Sequence, residues 1–468
     1  MQYVSTRGAA PPIGFCDVLL AGLAPDGGLY LPTEWPQLPP VTEFRGMPYA
    51  EVAAAVMQPF VEGEIDPHVL ARLCAESYAT FDTPEVCPVV PVGRTASGAD
   101  LSLLELYRGP TLAFKDVALQ LVGRLFDHVL EQRDERVCIL GATSGDTGSA
   151  AIEAMRGRHR VDIFVLFPDG RVSDVQRRQM TTVDAPNVHA VAVPGTFDDC
   201  QDLVKAAFGD VAFRDEVRLS AVNSINWARV MAQVVYYVTA HLAVRPDGGP
   251  VSYCVPTGNF GNVLAGWVAK RMGLPVDRLV VASNRNDILT RFFSTGTMAI
   301  TEVVPTTSPS MDIQVSSNLE RLLFERMGRD GATVAQMMAS FRADGTVSVP
   351  VGLLDDLREE FDCGRVTDAQ AALVIERTRE RTGLLVDPHT AIGIGVAEEH
   401  GGDPSVPMVA LGTAHPAKFP DAVEAATGLR PALPAHLSDL FDRDERVERC
   451  GASLDEVEAH VRAGLAAR

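Results

Sequence analysis

The sequence predicts an α/β protein with mostly parallel sheets flanked by helices, preceded by a small N-terminal domain. From about Leu101 onward, short apolar runs alternate with helical patterns, and three of these runs are RVCILGA, VDIFVLF and VHAVAVPG. Strands that alternate with helices in this way form parallel sheets with right-handed crossovers. The segment before this alternation is different, because it is rich in Pro and Gly and carries two short helical patterns.

The chain is long enough for more than one hydrophobic core. It has 468 residues, of which 46% are hydrophobic, and a single core stops growing at about 250–300 residues. We expect an N-terminal domain over residues 1–95, a small α/β domain over 96–215 and a large α/β domain over 216–468. The chain is free to cross between the two α/β domains.

Charge and cysteine usage argue against several classes of function. The 41 basic and 61 acidic residues give a net charge of −20, which opposes a phosphate backbone, so no nucleic-acid partner is expected. The eight cysteines form no C-x-x-C pair and no cluster with histidine, which predicts free thiols and no metal. No signal peptide and no apolar run of about 18 residues stands out, so we expect a cytoplasmic protein without a membrane partner.

Individual elements follow from hydrophobic periodicity and from Pro and Gly. Tyr49–Phe60 and Pro67–Ser77 are predicted as helices of the N-terminal segment, and PVVPVGRT as a connector. The stretch from about Pro305 to Arg381 is predicted to be mainly helical, and LLVDPHTAIGIGVAEEH and VPMVALGTAHPAKF to restore the βα pattern. Further helices are predicted at Val117–Leu130, Ser173–Met180, Phe197–Phe208, Asn226–Ala243, Phe260–Met272 and Ser453–Ala466.

Two glycine-rich loops stand where a strand passes into a helix, at Gly141–Gly148 and Pro256–Asn262. Glycine lets backbone N–H groups approach a ligand, and the following helix N-terminus adds partial positive charge. Each loop is a candidate anion site, although glycine also serves geometry alone in many such turns. A nucleotide-binding module is a distant alternative. A P-loop has a lysine near the position where this chain has Asp146, and a carboxylate there would repel a polyphosphate. A small carboxylate or monophosphate is the ligand class that remains.

Lys115 is the one lysine between residues 1 and 204, in a chain that otherwise uses arginine. It follows the run GPTLAF and precedes an apolar helical pattern. A lysine that attacks an aldehyde must lose its proton, which partial burial and nearby cations promote. The alternative is a structural lysine whose stem lies along an apolar surface and whose ammonium pairs with Asp116.

Five motifs resemble, in order along the chain, those of the threonine synthase family. They are Gly109–Asp116, Gly141–Gly148, Pro256–Asn262, Pro305–Asn318 and Gly412–Phe419. The opening YVSTRG and LLAGLAPDGGLYLP resemble the extra N-terminal domain of the longer class of this family. The resemblance therefore covers nearly the whole chain.

The resemblance implies a pyridoxal 5'-phosphate enzyme of fold type II, with the cofactor between two α/β domains. Lys115 matches the catalytic lysine that carries the cofactor, and Thr413 matches the hydroxyl residue that faces its pyridine nitrogen. A hydroxyl cannot hold that nitrogen protonated as an aspartate would, so the ring is a tempered electron sink. The positions that match cofactor-binding residues are Lys115, Asp146, Gly258, Asn259, Phe260, Gly261, Asn262 and Thr413.

The resemblance also implies substrate contacts on two segments. The loop around Asp146 resembles the one that receives the substrate carboxylate, and Asn223–Arg229 resembles the cradle of the substrate phosphate. Asn226 is expected to cap the next helix, which places Arg229 in its first turn. A capping segment with a surface arginine is the structural alternative. The positions that match substrate-binding residues are Thr143, Ser144, Thr147, Asn223, Ser224 and Arg229.

The reaction implied by the resemblance converts O-phospho-L-homoserine and water into L-threonine and phosphate, the last step of threonine biosynthesis. Lys115 would move the protons at Cα and Cβ while phosphate leaves Cγ and water adds at Cβ. The alternative on the same scaffold is a phospholyase that releases 2-oxobutyrate. We expect a monomer or a homodimer, with a small-molecule substrate as its partner.

Overall fold

The computed structural model describes residues 1–467. Its strands, in chain order, are β1 (Tyr3–Ser5), β2 (Tyr30–Pro32), β3 (Val89–Arg94), β4 (Asp100–Glu105), β5 (Val137–Ala142), β6 (Val161–Pro168), β7 (Val188–Val193), β8 (Leu219–Ser220), β9 (Val251–Pro256), β10 (Val276–Ser283), β11 (Thr297–Ala299), β12 (Thr346–Ser348), β13 (Phe361–Arg365), β14 (Met408–Gly412) and β15 (Glu448–Arg449).

The helices, in chain order, are α1 (Phe15–Ala21), α2 (Tyr49–Val61), α3 (Pro67–Tyr78), α4 (Lys115–Arg133), α5 (Asp146–Met155), α6 (Asp174–Thr181), α7 (Phe197–Gly209), α8 (Val211–Val217), α9 (Trp227–Val244), α10 (Gly261–Arg271), α11 (Ile288–Thr295), α12 (Leu319–Arg326), α13 (Gly331–Asp344), α14 (Val351–Arg358), α15 (Asp368–Thr382), α16 (Pro388–Glu398), α17 (Pro420–Thr427) and α18 (Leu454–Ala466). Short 3-10 turns lie at Val41–Phe44, Pro309–Met311, Pro416–Lys418 and Ala435–Leu437.

Two sheets, flanked by helices, form the body of the protein. One has six strands in the order β13-β10-β9-β14-β4-β3, and the other has five in the order β15-β7-β6-β5-β8. Every pairing in them is parallel except that of β3 with β4. The central strand β6 is buried along its whole length, because helices cover both faces of a parallel sheet and select a mostly apolar sequence. The predicted α/β class is confirmed.

Two local predictions were wrong. Val89–Arg94, predicted as part of a connector, is the edge strand β3, which pairs antiparallel with β4. Its Pro91 is compatible with an edge position, where a missing N–H does little harm. The LLVD run, predicted to open a βα unit, is not a strand. Asp387 instead caps α16, accepting hydrogen bonds from the backbone N–H groups of His389 and Thr390.

The chain crosses between the two sheets. Strand β4 comes from the 96–215 segment but joins the six-stranded sheet, next to β14. Strand β15 comes from the 216–468 segment but joins the five-stranded sheet, next to β7. The predicted division at 95/96 and 215/216 stays a prediction, and the pairing shows that each sheet takes strands from more than one of its segments.

The N-terminal segment packs against the helix that carries Arg229. Tyr3 and Phe60 place their rings 6.1 and 5.7 Å from that of Trp227, the first residue of α9. All three side chains are fully buried, so the start of α9 is held in a core shared with the N-terminal segment.

The loops of interest leave the carboxyl ends of neighbouring strands. The loop after β9 leads to α10, and the loop after the adjacent β14 leads to Thr413. In the sheet, β10 and β13 lie on one side of β9, and β14 and β4 lie on the other. Ligands of open α/β sheets bind outside such a switch in strand order, so this edge is the place to look for an active site.

Candidate active site

Lys115 and Thr413 are brought side by side by a short stretch of backbone pairing. The segments that carry them form a bridge between Ala113 and Ala414. The N–H of Phe114 donates to the carbonyl of Thr413 at 2.9 Å. Lys115 and Thr413 lie far apart in sequence, and this antiparallel contact holds the segments that carry them next to each other.

The partner of Lys115 is Asp146, not Asp116. Lys115 begins α4, is only 7% exposed and places its Nζ 3.3 Å from the Oδ2 of Asp146. Asp116 instead accepts hydrogen bonds from the backbone N–H and the hydroxyl of Thr111, at 2.8 and 2.6 Å. The structural alternative of a lysine paired with its neighbour Asp116 is therefore wrong, since consecutive helical residues point to different faces.

The electrostatic setting of Lys115 favours loss of its proton. Burial lowers the pKa of Lys115, Asp146 opposes this shift, and the nearby cations Lys418 and Arg229 add to it. Burial would raise the pKa of Asp146, but Lys418 and Lys115 hold it well below the usual value of a carboxyl. A lysine with a lowered pKa beside an ionised carboxylate suits a nucleophile that must also carry protons.

The loop around Asp146 is held by its own threonine. The Thr143 hydroxyl accepts hydrogen bonds from the N–H groups of Gly145 and Gly148, at 2.9 and 2.8 Å. Gly145 has a φ of +140°, a conformation that favours glycine, and a side chain there would meet Gln176. Ser144 and Thr147 are half-buried on this loop. The structure thus places all the predicted residues of the loop at the N-terminus of α5.

The second loop, Gly258 to Asn262, is a tight turn at the N-terminus of α10. Phe260 has a left-handed φ of +60° although it carries a fully buried side chain, a strained conformation of the kind that clusters at functional sites. Asn262 accepts a hydrogen bond from the hydroxyl of Tyr236, while its own Nδ2 has no partner among the described residues. This buried amide donor is therefore available to a ligand.

Arg229 occupies the predicted position. Asn226 caps α9, since its side chain accepts from the N–H of Ala228 at 3.0 Å, and Arg229 lies in the first turn. The guanidinium is not on the surface: Arg229 is 4% exposed, and its Nη1 donates to the carbonyl of Val222 at 3.1 Å. Its Nε has no hydrogen-bond partner within residues 1–467. Burial lowers the pKa of Arg229 to about 10.

One side chain joins the two anion loops. The amide of Asn318 donates to the carbonyls of Asn259 and Ser224, at 2.9 and 3.1 Å. The loop after β9 and the loop before α9 are therefore both hydrogen-bonded to the side chain of Asn318. Asn223, beside Ser224, is exposed, and its side-chain oxygen accepts from the N–H of Ile225 at 3.3 Å.

Several residues of the site carried no role in the sequence reasoning. Lys418 and Gln176 both contact the Oδ1 of Asp146 at 2.9 Å, and Ser310 donates to its Oδ2 at 3.1 Å. One signal could have found Lys418: the chain has only four lysines, so a second lysine inside a motif is unusual. Ser310 and Asn318 belong to the motif Pro305–Asn318, for which the family resemblance implies no individual residue roles.

The residues present fit pyridoxal 5'-phosphate. Its phosphate is an anion, and the N-terminus of α10 offers backbone donors beside the unpartnered Nδ2 of Asn262. Its aldehyde needs a lysine that can become neutral, and Lys115 is buried with a lowered pKa. The structure brings Lys115, Asp146 and Thr413 together at the strand ends, with Gly258–Asn262 and Ser224–Arg229 linked through Asn318.

This arrangement is that of the pyridoxal-phosphate-dependent enzymes, and the family model "Pyridoxal-phosphate dependent enzyme" matches residues 83–410. The family models "Threonine synthase N terminus" and "Threonine synthase, C-terminal" match residues 2–78 and 390–461. The chain belongs to the threonine synthase family, whose members are lyases, and its cofactor is pyridoxal 5'-phosphate.

Relatives and solved structures agree with this assignment over the full length. The threonine synthase of Pseudomonas aeruginosa is 52% identical over 98% of either chain. The crystal structure of a threonine synthase with pyridoxal phosphate bound, from Brucella melitensis, has a TM-score of 0.95 and 54% identity over 99% of either chain. The yeast enzyme has a TM-score of 0.93 and 37% identity, covering 100% of this chain and 99% of its own. The predicted family, fold and cofactor are confirmed.

Among the helices of residues 1–467, none is long and apolar enough to cross a membrane.

Proposed function

We propose that the chain converts O-phospho-L-homoserine and water into L-threonine and phosphate, with Lys115 as the catalytic residue. The observation that carries this proposal is the pair of adjacent helix N-termini, those of α9 and α10, whose loops are joined by Asn318. A helix N-terminus binds anions. An enzyme whose cofactor and substrate each carry a phosphate needs two such sites within the length of one small molecule.

We assign the cofactor to the α10 side. Gly258, Asn259, Phe260, Gly261 and Asn262 would hold its phosphate through backbone N–H groups and the free Nδ2 of Asn262. Gly258 and Gly261 suit a close approach, because a side chain would meet Ser310 and Asn318 there, at 3.1 and 3.3 Å. When bound, pyridoxal 5'-phosphate supplies an aldehyde that condenses with an amine and a ring that accepts an electron pair.

Thr413 and Asp146 complete the proposed cofactor site. Thr413 would present its hydroxyl to the pyridine nitrogen, because its backbone carbonyl is tied to the N–H just before Lys115. Asp146 is already in contact with Lys115, the residue that carries the cofactor in this proposal. Both residues therefore lie within the reach of a group held by Lys115.

We assign the substrate to the α9 side and to the α5 loop. Arg229, Ser224 and Asn223 would bind the substrate phosphate. Arg229 is the main donor for this dianion, because it is buried and its Nε has no hydrogen-bond partner among the described residues. Ser144 and Thr147 would receive the substrate carboxylate at the N-terminus of α5. The hydroxyl oxygen of Thr143 already accepts two hydrogen bonds from its own loop, so Thr143 contributes by shaping this loop.

Lys115 performs the proton transfers in this proposal. Its amine removes a proton from Cα and, once that proton has passed to the substrate phosphate, a second proton from Cβ, and hydrogen phosphate leaves from Cγ. The amine then returns its proton to Cγ, which becomes the methyl group, and water adds its hydroxyl to Cβ and its proton to Cα, so that threonine is formed. A neutral lysine can act as this base because burial and two neighbouring cations lower its pKa. Arg229 stabilises the charge of the departing phosphate.

The assay that tests the proposal separates threonine formation from simple elimination. The purified holoenzyme is incubated with O-phospho-L-homoserine, and threonine, phosphate and 2-oxobutyrate are measured together. We expect threonine and phosphate in equal amounts. Accumulation of 2-oxobutyrate in place of threonine would show that the chain is a phospholyase.

Lys115→Ala tests the catalytic assignment. We expect this variant to lose nearly all turnover and the visible absorbance of the covalently held cofactor, because Lys418, the other lysine at Asp146, is fully buried and held by the carbonyl of Thr111 at 2.8 Å. The matched control is Lys205→Ala, since Lys205 is an exposed lysine paired with Asp202 at 2.8 Å. A Lys115→Ala variant that kept both absorbance and turnover would remove Lys115 from the mechanism.

Assembly and location are the less detailed part of the proposal. We propose a cytoplasmic monomer or homodimer, and the three segments 1–95, 96–215 and 216–468 as its domains, with the chain crossing between the two α/β domains. Sedimentation velocity of the holoenzyme distinguishes a particle of 50.2 kDa from one of twice that mass. A larger assembly would contradict the proposal.

A further inference from the structure

Asp146 is shared by two lysines, one on each of its oxygens. Lys418 lies 2.9 Å from Oδ1, and Lys115 lies 3.3 Å from Oδ2. Neutral donors complete the shell, since Gln176 donates to Oδ1 at 2.9 Å and Ser310 to Oδ2 at 3.1 Å. Asp146 itself is only 3% exposed. One buried carboxylate therefore faces two ammonium groups.

The two lysines are held very differently. Lys418 is fully buried, and besides Asp146 its Nζ faces the carbonyl of Thr111 at 2.8 Å and the hydroxyl of Ser149 at 3.5 Å. An ammonium has three protons, so Lys418 has an acceptor for each. Lys115 has one hydrogen bond among the described residues, the long one to Asp146. Lys418 is thus fixed in place, whereas Lys115 is free to leave.

We propose that Lys418 is the permanent counter-ion of Asp146, a positioning residue that keeps this carboxylate ionised whenever Lys115 gives up its charge. The inference rests on the proposed function, in which Lys115 becomes neutral to hold the cofactor and to accept protons. A buried carboxylate that loses its cation is strongly disfavoured and takes up a proton instead. With Lys418 in place, Asp146 stays ionised whether or not Lys115 carries its proton.

The balance of charges around Asp146 supports this role. Burial would raise its pKa, and Lys418 opposes burial more than Lys115 or His389 does. Lys418, which lowers the pKa of Asp146 more than Lys115 does, therefore keeps its charge when Lys115 becomes neutral. The charged and titratable groups that act on this cluster are Lys115, Lys418, His389, Arg229 and Asp116.

The first test is the variant Lys418→Met in the holoenzyme. Without Lys418, Asp146 should have a pKa raised toward neutrality, so that it is ionised above this pKa and protonated below it. We expect a new titration of the cofactor absorbance as Asp146 takes up its proton. Below the midpoint of this titration, turnover should fall about tenfold for each pH unit, while the KM for the substrate changes little. The wild type should show neither effect.

A double variant tests whether the effect acts through Asp146. Lys418→Met combined with Asp146→Asn removes both charges, so the new titration should disappear even if overall turnover stays low. Asp116 is the other acid near Lys418, and burial raises its pKa to about 6. If the titration persists in the double variant, it belongs to a group other than Asp146, such as Asp116, and the proposal is wrong. The surface control Lys205→Met should reproduce the wild-type profile.

A second substitution covers the case in which Lys418→Met does not fold. Lys418→Gln keeps a hydrogen-bond donor but removes the charge, and it should show the same titration. A folded Lys418→Met or Lys418→Gln variant with the wild-type pH profile would overturn the inference. Failure of the proposed function looks different, because the wild type would then form no threonine or Lys115→Ala would remain active.

Discussion

Arg229 and Arg321 are two buried arginines near the loops that Asn318 joins, and their hydrogen bonds differ. The Nε of Arg321 donates to the carbonyl of Tyr30 at 2.8 Å and its Nη2 to that of Ile225 at 2.6 Å, while Nη1 donates to the side-chain oxygen of Asn318. Arg229 has one such bond, to Val222, and a free Nε among the described residues.

The difference separates a structural cation from a ligand-binding one. Burial lowers the pKa of both side chains, to about 9 for Arg321 and about 10 for Arg229, so a perturbed pKa does not tell them apart. Their partners do. Arg321 links the N-terminal strand β2 to the loop before α9 and to Asn318, whereas the Nε of Arg229 is available to a ligand. A buried donor without a partner is disfavoured unless a ligand completes it.

The largest expected effect is on catalysis by Arg229→Met. Loss of the charged donor to the substrate phosphate should lower kcat/KM by about a thousandfold, which corresponds to about 4 kcal/mol. The free energy of unfolding should stay the same or rise, because methionine replaces a poorly satisfied buried charge. Steady-state kinetics and urea unfolding measure the two quantities. Unchanged kinetics together with a large loss of stability would make Arg229 the structural residue of the pair.

The matched substitution Arg321→Met should act on stability instead. It leaves two carbonyl groups and the Asn318 oxygen without donors, so we expect the free energy of unfolding to fall by about 3 kcal/mol. At a temperature where the variant is folded, its kcat/KM should fall much less than that of Arg229→Met. Urea unfolding checks the first expectation. A variant as stable as the wild type would show that Arg321 does not act as a clamp.

The smallest expected effect is the stabilisation of the protein by inorganic phosphate. A ligand present at about ten times its Kd stabilises a folded protein by about 1.4 kcal/mol. We expect phosphate to raise the Tm of the wild-type holoenzyme and of Arg321→Met, but not that of Arg229→Met. Sulfate and chloride at equal ionic strength are the controls. An equal rise in Arg229→Met would place the anion elsewhere.

Much of the local structure was predictable from the sequence. The helices from Tyr49 and from Pro67 begin as predicted, because helix starts follow from Pro, capping residues and periodicity. The cap at Asn226 and the place of Arg229 in the first turn were also predicted correctly. The strand at Val89–Arg94 was missed, since an edge strand with Pro and Gly is indistinguishable from a connector without its partner β4.

The site was predictable as a set of motifs but not as a set of contacts. Lys115 was singled out because lysine is rare in this chain, and the same rarity would have pointed to Lys418. Arg229, for which a surface position was the structural alternative, is buried in the same helical turn as Trp227, which packs against Tyr3 and Phe60 of the N-terminal segment. Neither sequence spacing nor residue type contains that information.

The sequence by itself determined the alternation of strands and helices, the glycine turns, the caps and the family of the chain, because these follow from neighbours along the backbone. Only the tertiary structure decided that Lys115 pairs with Asp146 rather than Asp116. It also decided that Lys418 shares this carboxylate and that Asn318 joins the two anion loops. The physical reason is that buried charges and donors must find partners in space, and parallel crossovers bring those partners from distant parts of the chain.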